Sequence, residues 1–522
     1  MSDAVPIPVH LAAPAGAAGP RRSLILAGGG VRMSYQAGAL RALEEAGLTF
    51  AHADGTSGGT FNLAMLFSGL SPFEMCERWR TLHVMDLLSL MPVEDYLKPW
   101  GLAGVGSAKG LVDKVYPHLG IDAARIRAAT GMAGTFNACE FRTKTNRAIP
   151  HDSIDVDILV GAVSLPIFLP PVEKGDALYC DSVWIKDANL TEAVRRGAEE
   201  IWLLWAIGNS AEYHGGAFYQ YVHMMEISSN AGLFEELSRI AELNERMARG
   251  EPSPHGQTRP IVLHVIRPEH PLPLDPELFL GNIDAATLIA MGYADAKRYL
   301  AARRPEGVPL DIRCTRMIDS PPGIRFREVM AGGFALGATD PREGERQGER
   351  AGTVLTMRAT PIIRDLERFI ADPAHAGEMV GSIGFPPLGE DLLAKSGAFN
   401  LFSPAGRPDV KEMIYELGFE AGGKSYYLAG KKEVKDDPGF DLWKDTTTLF
   451  TRLHEGGDAS GAVVGAGVLH LKPAELLKLV GTVSPTDACA PAERTRLILR
   501  FGRFFLGNLW DSYVAHLPGA NR

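Results

Sequence analysis

Two units, each made of a strand, a glycine turn and a helix, stand near the start of the sequence and constrain the fold most strongly. In the first unit, an apolar run at 23–27 leads through three glycines at 28–30 into helically spaced apolar residues at 34–46. In the second, residues 50–54 lead through the glycine-rich turn 55–59 into an apolar helix. Strands that alternate with helices are typical of a parallel sheet covered by helices. The sequence therefore predicts an α/β fold for this part of the chain.

Further apolar runs continue this alternation, and a helix predicted at 285–302 ends it. The additional predicted strands are 133–141, 158–162, 201–207 and 260–266. From about residue 324, the apolar runs become shorter, alternate with polar residues and are broken by Gly and Pro. This pattern of short alternating runs favours an antiparallel β domain.

The length of 522 residues also indicates more than one domain, because single hydrophobic cores stop growing near ~250 to 300 residues. We expect a three-layer α/β/α domain followed by a smaller β-rich (α+β) domain. The predicted division is a disordered tail at 1–21, the α/β/α domain at 22–303, a linker at 304–322 and the β-rich domain with C-terminal helices at 323–522.

Charge and cysteine content exclude several classes of function. With 53 basic and 63 acidic residues the net charge is −10, which disfavours binding to nucleic acid. The five cysteines are scattered without a C-x-x-C pair, so we predict no metal and no cofactor, and a reducing compartment is favoured. No segment has the roughly 20 apolar residues of a transmembrane helix. The apolar run after Arg21 and Arg22 is too short for twin-arginine export.

Two charged segments of the second half have alternative interpretations. Residues 340–352 are charged and punctuated by glycine, which predicts a solvated loop. The last predicted helix, 492–517, combines apolar residues with several arginines, and such a helix can lie on a membrane. We expect it to pack on the β domain instead, because apolar stripes at helical spacing usually face a core.

The string Gly55-Thr56-Ser57-Gly58-Gly59 has the form G-x-S-x-G. Between a strand and a helix, this pattern holds a serine on a strained turn with its hydroxyl exposed. So short a pattern also occurs by chance, but a strand is predicted before it and a helix after it, as the motif requires. Ser57 is therefore the candidate nucleophile, and Gly55, Gly58 and Gly59 form its elbow.

A glycine-rich loop, Gly28, Gly29 and Gly30 followed by Arg32, is the candidate oxyanion hole. Backbone amides without side chains at a strand-to-helix turn can point at an anion, and Arg32 could stabilise the loop or the developing charge. The alternative is a dinucleotide-binding loop of the form G-x-G-x-x-G. Met33 stands at the position of the third glycine, which disfavours that alternative.

A base for Ser57 is less evident, because no later histidine has the local signature of a catalytic triad. Asp181 follows the apolar segment 177–180. A carboxylate at a strand end would be partly desolvated, which raises its pKa toward the range useful for a base. Asp181 is therefore the candidate base, although an aspartate that only caps a turn has the same local sequence.

Together these motifs resemble the patatin-like phospholipases. The resemblance rests on GGGVR at 28–32, GTSGG at 55–59, SLPIFLPP at 164–171 and the aspartate motif at 181–183, in matching order over about residues 22–303. It implies a three-layer α/β/α fold and lipid acyl hydrolase activity with a Ser-Asp dyad. The implied roles are Ser57 as nucleophile, Asp181 as base and Gly28, Gly29, Gly30 and Arg32 as the oxyanion region.

The sequence departs from the family pattern in two places. Met33 replaces the usual glycine after the arginine, and Ser182-Val183 replaces the usual Gly-[Gly or Ala] after the aspartate. The second departure matters more, because glycine permits a tight turn that Ser182 restricts. Asn189 stands near the family's place for an asparagine, so we expect the dyad to be retained, with Asp187 as the alternative base.

The C-terminal region is similar to a domain appended to some bacterial cholesterol-oxidase-like flavoproteins and hydrolases. The similarity rests on FNLF at 399–402, DDPGFDLW at 436–443 and FGRFF at 501–505. It implies an accessory domain of lipid-handling enzymes, without flavin because the flavin-binding part is absent. Its aromatic residues either line a lipid pocket or, as is more usual, form a β core.

The sequence thus predicts a serine lipid acyl hydrolase, of phospholipase A or lipase type, acting on a lipid ester in the cytoplasm or at a membrane surface. Two alternatives stay open. One is a non-catalytic lipid-binding or scaffold protein that keeps the fold, which the Ser182-Val183 departure suggests. The other is an acyltransferase whose acceptor is not water. Lipid head group, chain length and oligomeric state are not predicted.

Overall fold

The computed structural model describes residues 6–87, 89, 104–209, 211, 213–319, 321–405, 410–435, 447–486 and 491–513. The motif at 436–443 lies outside the described residues. The chain divides into two compact units, Met1–Phe279 with Asp284–Asp319, and Leu280–Ile283 with Ser320–Arg522.

The first unit contains an eight-stranded sheet and its covering helices. Its strands are β1 Ile7–Pro8, β2 Arg22–Leu26, β3 His52–Thr56, β4 Ala129–Thr130, β5 Ala133–Glu140, β6 Thr145–Pro150, β7 Val172–Lys174, β8 Ala177–Cys180, β9 Glu200–Leu204 and β10 Val262–Ile266. Its α-helices are α1 Ser34–Glu45, α2 Gly59–Phe67, α3 Pro72–Thr81, α4 Tyr116–Leu119, α5 Ala123–Arg127, α6 Val156–Ala162, α7 Leu190–Arg195, α8 Ala217–Ala248, α9 Asp275–Phe279 and α10 Ala285–Ala301.

The sheet has the order β10-β9-β2-β3-β5-β8-β7, with β6 also beside β5. Neighbours from β10 to β5 are parallel, whereas β6, β7 and β8 join antiparallel. Successive residues of β2 point to opposite faces, yet Leu24, Ile25 and Leu26 are all fully buried. Both faces of the sheet are therefore covered, which confirms the predicted α/β/α architecture.

Strand order brings the candidate motifs together. Leu26 at the end of β2 pairs with Gly55 of β3, so the two glycine turns leave the same edge of the sheet. On β5, Asn137 pairs with Thr56 of β3, while Cys139 pairs with Cys180 of β8. The loops that follow β3 and β8 therefore lie on either side of the same end of β5.

Three segments of this unit differ from the predictions. Residues 158–162 belong to helix α6 and not to a strand, because the side chain of Asp155 caps the helix by accepting from the amide of Ile158. A short apolar run fits a buried helix as well as a buried strand. The segment predicted as a disordered tail is structured from residue 6 onward, since β1 pairs with β4 and Leu11 is buried. Helix α8 was missed, because only a few of its 32 residues are buried and its apolar periodicity is weak.

The second unit is a β-barrel with helices. Its strands are β11 Ile324–Arg325, β12 Glu328–Leu336, β13 Val354–Ile363, β14 Ala376–Phe385, β15 Gly389–Pro404, β16 Val410–Ala421, β17 Lys424–Lys435, β18 Thr448–Glu455, β19 Val463–His470 and β20 Ser484–Pro485. Its α-helices are α11 Pro341–Ala351, α12 Leu366–Ala371, α13 Pro473–Thr482 and α14 Pro491–Tyr513. From β12 to β19 each strand pairs antiparallel with the next, and β19 pairs back with β12, which closes the barrel.

Helix α11 corrects the loop predicted at 340–352. Asp340 caps its N-terminus and Pro341 occupies its first turn. Gly344 and Gly348 lie against the barrel, where a Cβ on Gly344 would come within 2.0 Å of the carbonyl oxygen of Ala466. The charged residues of α11 face solvent. A run of charged residues with glycines is typical of a loop, but here the two glycines let the helix pack closely on the barrel.

Aromatic and aliphatic side chains fill the second unit, as predicted. Inward-pointing residues of the barrel strands, such as Phe334 and Phe419, belong to one buried cluster. Helix α14 adds Leu497, Phe501 and Phe504 to that cluster, so its apolar stripe packs on its own β domain as expected. Phe501 contacts Phe326, with 5.7 Å between ring centroids.

Candidate active site

Ser57 lies on the elbow between β3 and α2. Its φ of 51° is in the left-handed region, which costs a non-glycine residue about 1 to 3 kcal/mol and is characteristic of functional sites. The helix begins at Gly59, where a Cβ would lie 2.1 Å from the carbonyl oxygen of Leu26. Glycine at 59 therefore lets the first turn of α2 pack against the end of β2 and fixes Ser57 at the edge of the sheet.

Asp181 directly follows β8 and is buried. The Ser57 hydroxyl is close enough to this carboxylate to stabilise its ionised form, and the amide of Val183 donates a hydrogen bond of 2.8 Å to it. Burial raises the pKa of Asp181 to about 6, and these two groups oppose that rise. The structure thus places the candidate nucleophile beside the candidate base.

The backbone amides of the candidate oxyanion loop differ in whether they already donate a hydrogen bond. The amide of Gly28 donates to Oδ1 of Asp187 at 3.0 Å and is therefore already engaged. The amides of Gly29 and Gly30 have no acceptor within the part of the chain that the structure describes. The Arg32 side chain donates through Nε to the carbonyl oxygen of Gly29 at 2.9 Å. Of its two predicted roles, Arg32 thus fills that of holding the loop.

Buried hydrogen bonds tie the loop to its surroundings. The side chain of Asn62 on α2 donates to the carbonyl oxygen of Met33 at 2.9 Å and accepts from Trp79 Nε1 at 2.8 Å. Gln36 on α1 donates to the carbonyl oxygen of Ala27 at 2.7 Å. Met33, the first departure from the family pattern, is fully buried. The loop and the elbow are therefore held by the same helices.

A polar network joins the strand of the elbow to the loop that carries Asp181, and its centre is Asn137 on β5. The Asn137 amide donates to Asp54 and, at 3.1 Å, to the carbonyl oxygen of Gly55. Its side-chain oxygen accepts from Asn146 and from Asn189, each at 2.8 Å. Asn189 therefore has a structural role: it links the end of the Asp181 loop to β5.

Ser182 extends this network. Its hydroxyl donates to the side-chain oxygen of Asn146 at 2.6 Å, and the residue is completely buried. Ser182 does not adopt a positive φ, so this backbone does not need the glycine that the family usually has. The serine instead adds a hydrogen bond beside Asp181.

Asp54 belongs to this polar network, and the sequence reasoning missed it. It is fully buried on β3, three positions before Ser57, and accepts hydrogen bonds from Thr135 and Asn137. Burial raises the pKa of Asp54 to about 8, although both hydrogen bonds lower it. The available signal was the polar residue at every second position of β3, namely His52, Asp54 and Thr56, since buried polar groups require partners.

Asp187, the alternative base, is a second buried carboxyl group close to Asp181. Burial and the negative charge of Asp181 raise its pKa well above the usual range. Its Oδ2 atom is buried and has no hydrogen-bond partner among the described residues. Its Oδ1 atom accepts from the Gly28 amide, so Asp187 lies against the glycine loop, whereas Asp181 lies beside Ser57.

An aromatic patch adjoins Asp181, and we define it as Ile167, Phe168, Trp184 and Tyr221. The Tyr221 ring contacts Phe168 and Trp184, with 5.5 and 5.6 Å between ring centroids. Burial raises the pKa of Tyr221, and the negative charge of the nearby Asp181 carboxylate raises it further. The side chains of Ile167 and Phe168 are 59% and 45% exposed. Apolar surface is thus available beside the buried carboxylate.

Comparison with known families identifies the domain that contains this candidate site. Residues 24–194 match the family model described as patatin-like phospholipase. The chain carries a patatin-like phospholipase domain. The matched residues include Ser57, Asp181 and the glycine loop, and they support assignment to a family of lipid acyl hydrolases. The match does not reach the barrel, whose resemblance to an accessory domain stays a prediction. No curated protein matches the chain.

Within the described ranges, helices long and apolar enough to cross a bilayer do not occur. Among the same residues, no group of three or more His, Cys, Asp or Glu side chains is placed to hold a metal ion.

Proposed function

We propose that the patatin-like domain is a serine lipid acyl hydrolase in which Ser57 is the nucleophile and Asp181 the general base. The observation that carries this proposal is that a serine on a strained elbow lies beside a buried carboxylate. A pKa near 6 for Asp181 leaves it ionised at neutral pH and still basic enough to take a proton.

The first half-reaction forms an acyl-enzyme. Asp181 takes the hydroxyl proton of Ser57 as the oxygen attacks the ester carbonyl carbon. The negative charge that develops on the carbonyl oxygen is stabilised by the amides of Gly29 and Gly30 and by the N-terminus of α2. The tetrahedral intermediate then expels the alcohol, which receives the proton from Asp181.

The second half-reaction releases the fatty acid. Asp181 takes a proton from water, which attacks the acyl-serine carbonyl carbon, and the same amides hold the oxyanion. Collapse of this intermediate breaks the bond to Ser57 and returns the proton to its oxygen. Asp187 keeps the Gly28 amide in place through both steps.

A lipid ester fits the surroundings of the site. The exposed Ile167 and Phe168 offer apolar contact for an acyl chain or for the surface of a lipid aggregate next to Asp181. This patch supports action on lipids at a membrane surface, with the protein bound peripherally.

Hydrolysis by matched variants tests the proposal. We expect the protein to release fatty acid from a short acyl ester and from phosphatidylcholine vesicles. Ser57→Ala and Asp181→Asn should lower kcat by at least about 10³-fold and about 10²- to 10⁴-fold, respectively. The exposed-residue controls Ser153→Ala and Asp176→Asn should keep the wild-type rate.

Two outcomes would replace this function by its alternatives. If wild-type protein binds the vesicles but releases no fatty acid, it is a lipid-binding protein. If an added long-chain alcohol receives the acyl group in preference to water, it is an acyltransferase. Full activity of Ser57→Ala would exclude Ser57 as the nucleophile.

A further inference from the structure

Two cysteines face each other across neighbouring strands beside the candidate site. Cys139 on β5 and Cys180, the last residue of β8, are paired residues of the antiparallel ladder. Paired residues in such a ladder have Cα atoms about 4.5 to 5.5 Å apart, within the range of about 4.4 to 6.8 Å that a disulfide spans. The two side chains are close enough for each thiol to shift the pKa of the other, and each residue is 6% exposed. The pair has the backbone geometry of a disulfide but is reduced.

We propose that Cys139 and Cys180 form a covalent modification site at which a hydroperoxide converts the two thiols into a cross-strand disulfide. The scattered spacing of the cysteines hid this site in the sequence, because the two residues meet only through the pairing of β5 with β8. The co-reactant is a small hydroperoxide, ROOH, which supplies the two-electron oxidising power.

Cys139 is the nucleophile of the first step. The hydrogen bond from the Cys180 thiol lowers the pKa of Cys139, and the positive charge of Lys144 acts in the same direction. The Cys139 thiolate attacks the terminal oxygen of the hydroperoxide, so an S–O bond forms and the O–O bond breaks. The RO⁻ leaving group takes a proton and departs as ROH, which leaves a sulfenic acid on Cys139.

Cys180 resolves the sulfenic acid. Its sulfur attacks the sulfur of Cys139, so an S–S bond forms and the S–O bond breaks. The departing hydroxide takes the Cys180 proton and leaves as water. The sum is two thiols and one ROOH giving one disulfide, one ROH and one water, in which the two sulfurs are oxidised and the peroxide is reduced.

The position of the pair couples it to the site. Asp181 is the next residue after Cys180, and its amide donates to the carbonyl oxygen of Ser164 at 3.0 Å. Cys139 follows Asn137, the centre of the polar network, by two positions and therefore lies on the same face of β5. A disulfide would impose a Cβ–S–S–Cβ dihedral of about ±85 to 100° on the residue just before Asp181, which would turn that peptide and shift the Asp181 carboxylate from Ser57. This consequence, unlike disulfide formation itself, rests on the proposed function.

Mass spectrometry tests the modification without any activity assay. The full-length protein is treated with hydrogen peroxide, its remaining thiols are alkylated, and it is digested without reduction. We expect a cross-linked peptide joining Cys139 to Cys180, and we expect dithiothreitol to remove it. Cys139→Ser should give no cross-link, whereas Cys76→Ser, which removes a buried cysteine elsewhere, should give the wild-type result. Oxidation of the pair to sulfinic acids, or unreacted thiols at both positions, would overturn the proposal.

Esterase activity tests the coupling separately. Because a displacement of 1 Å can cost about 10²-fold in rate, the cross-linked protein should lose at least about tenfold in kcat on a short acyl ester and recover on reduction. Cys139→Ser should keep its rate in peroxide. A cross-link that leaves the rate unchanged would overturn the coupling to Asp181. If the untreated protein has no esterase activity, the proposed function fails while the peptide map still decides whether the disulfide forms.

Discussion

Ser57 lies beside the carboxylate of Asp181 although the two residues follow strands that do not touch, since β5 lies between β3 and β8. β5 also carries Asn137, which hydrogen-bonds to the elbow strand on one side and to Asn146 and Asn189 on the other. The strand thus sets the spacing of Ser57 and Asp181 through its backbone pairing and through the side chain of Asn137. Predictions about the site therefore concern the two reacting groups and this support.

Activity should depend on the ionisation of Asp181. Burial raises its pKa to about 6, so kcat/KM for a short acyl ester should fall as the pH drops through about 6. Below that pH the carboxyl group is protonated and cannot accept the Ser57 proton. A pH profile from about 3.5 to 8 checks this prediction, and Asp181→Asn is the control, because its residual rate should not fall near pH 6. An acid limb near pH 4 would mean that Asp181 is not desolvated in solution.

Asp54 should make folding stability pH-dependent. Its folded pKa of about 8 lies above the unfolded value of about 3.9, so the folded state binds more protons between these values. Its contribution is complete below about pH 4 and is lost as the pH rises through about 8, with a slope of at most about 1.4 kcal/mol per pH unit. Asp54→Asn should lack this slope in urea unfolding at pH 5, 6.5 and 8. Parallel curves for the two proteins would refute the assignment.

Ser182 should support the position of Asp181. Ser182→Ala removes the hydrogen bond to Asn146 and should lower the free energy of unfolding by about 1 kcal/mol. Because the loop that carries Asp181 loosens, kcat should fall several-fold while KM changes little. Steady-state kinetics and urea unfolding measure both, with Ser153→Ala as a surface control. A change in KM alone would point to substrate contact instead.

Ile167 should contribute to binding of lipid surfaces. Its side chain is 59% exposed, and transferring an apolar side chain of this size from water to lipid is worth about 1.5 to 3 kcal/mol when complete. Ile167→Ser should therefore lower the ratio of vesicle hydrolysis to short-ester hydrolysis by about tenfold. Val354→Ser, which changes an exposed apolar residue on the barrel, should leave that ratio unchanged. Equal ratios in all three proteins would argue against the patch as a lipid contact.

The sequence was sufficient for the parts of the site that are contiguous motifs. The glycine loop before α1 and the elbow before α2 each have a strand before them and a helix after them, so local pattern predicted their place at one sheet edge. Asp181 was found because an apolar strand precedes it. These features depend on short-range order in the chain, which periodicity and turn residues express directly.

The supporting groups could not be found in the same way. Asn137, Asn146 and Asp54 lie on three different strands, and only strand pairing brings them together. The cysteine pair was hidden for the same reason. Helix α6 was mistaken for a strand because five apolar residues have no distinctive period, and the glycines of α11 resembled loop residues until their contact with the barrel was seen.

Covalent labelling by a fluorophosphonate is the measurement that tests the central claim most directly, because the probe reacts with a serine only when a base and an oxyanion site activate it. We predict one equivalent of probe per chain, located on Ser57 by peptide mapping, with much slower labelling in Asp181→Asn and none in Ser57→Ala. Absence of labelling in folded wild-type protein, or labelling that persists in Ser57→Ala, would contradict the assignment of Ser57 and Asp181 as nucleophile and base.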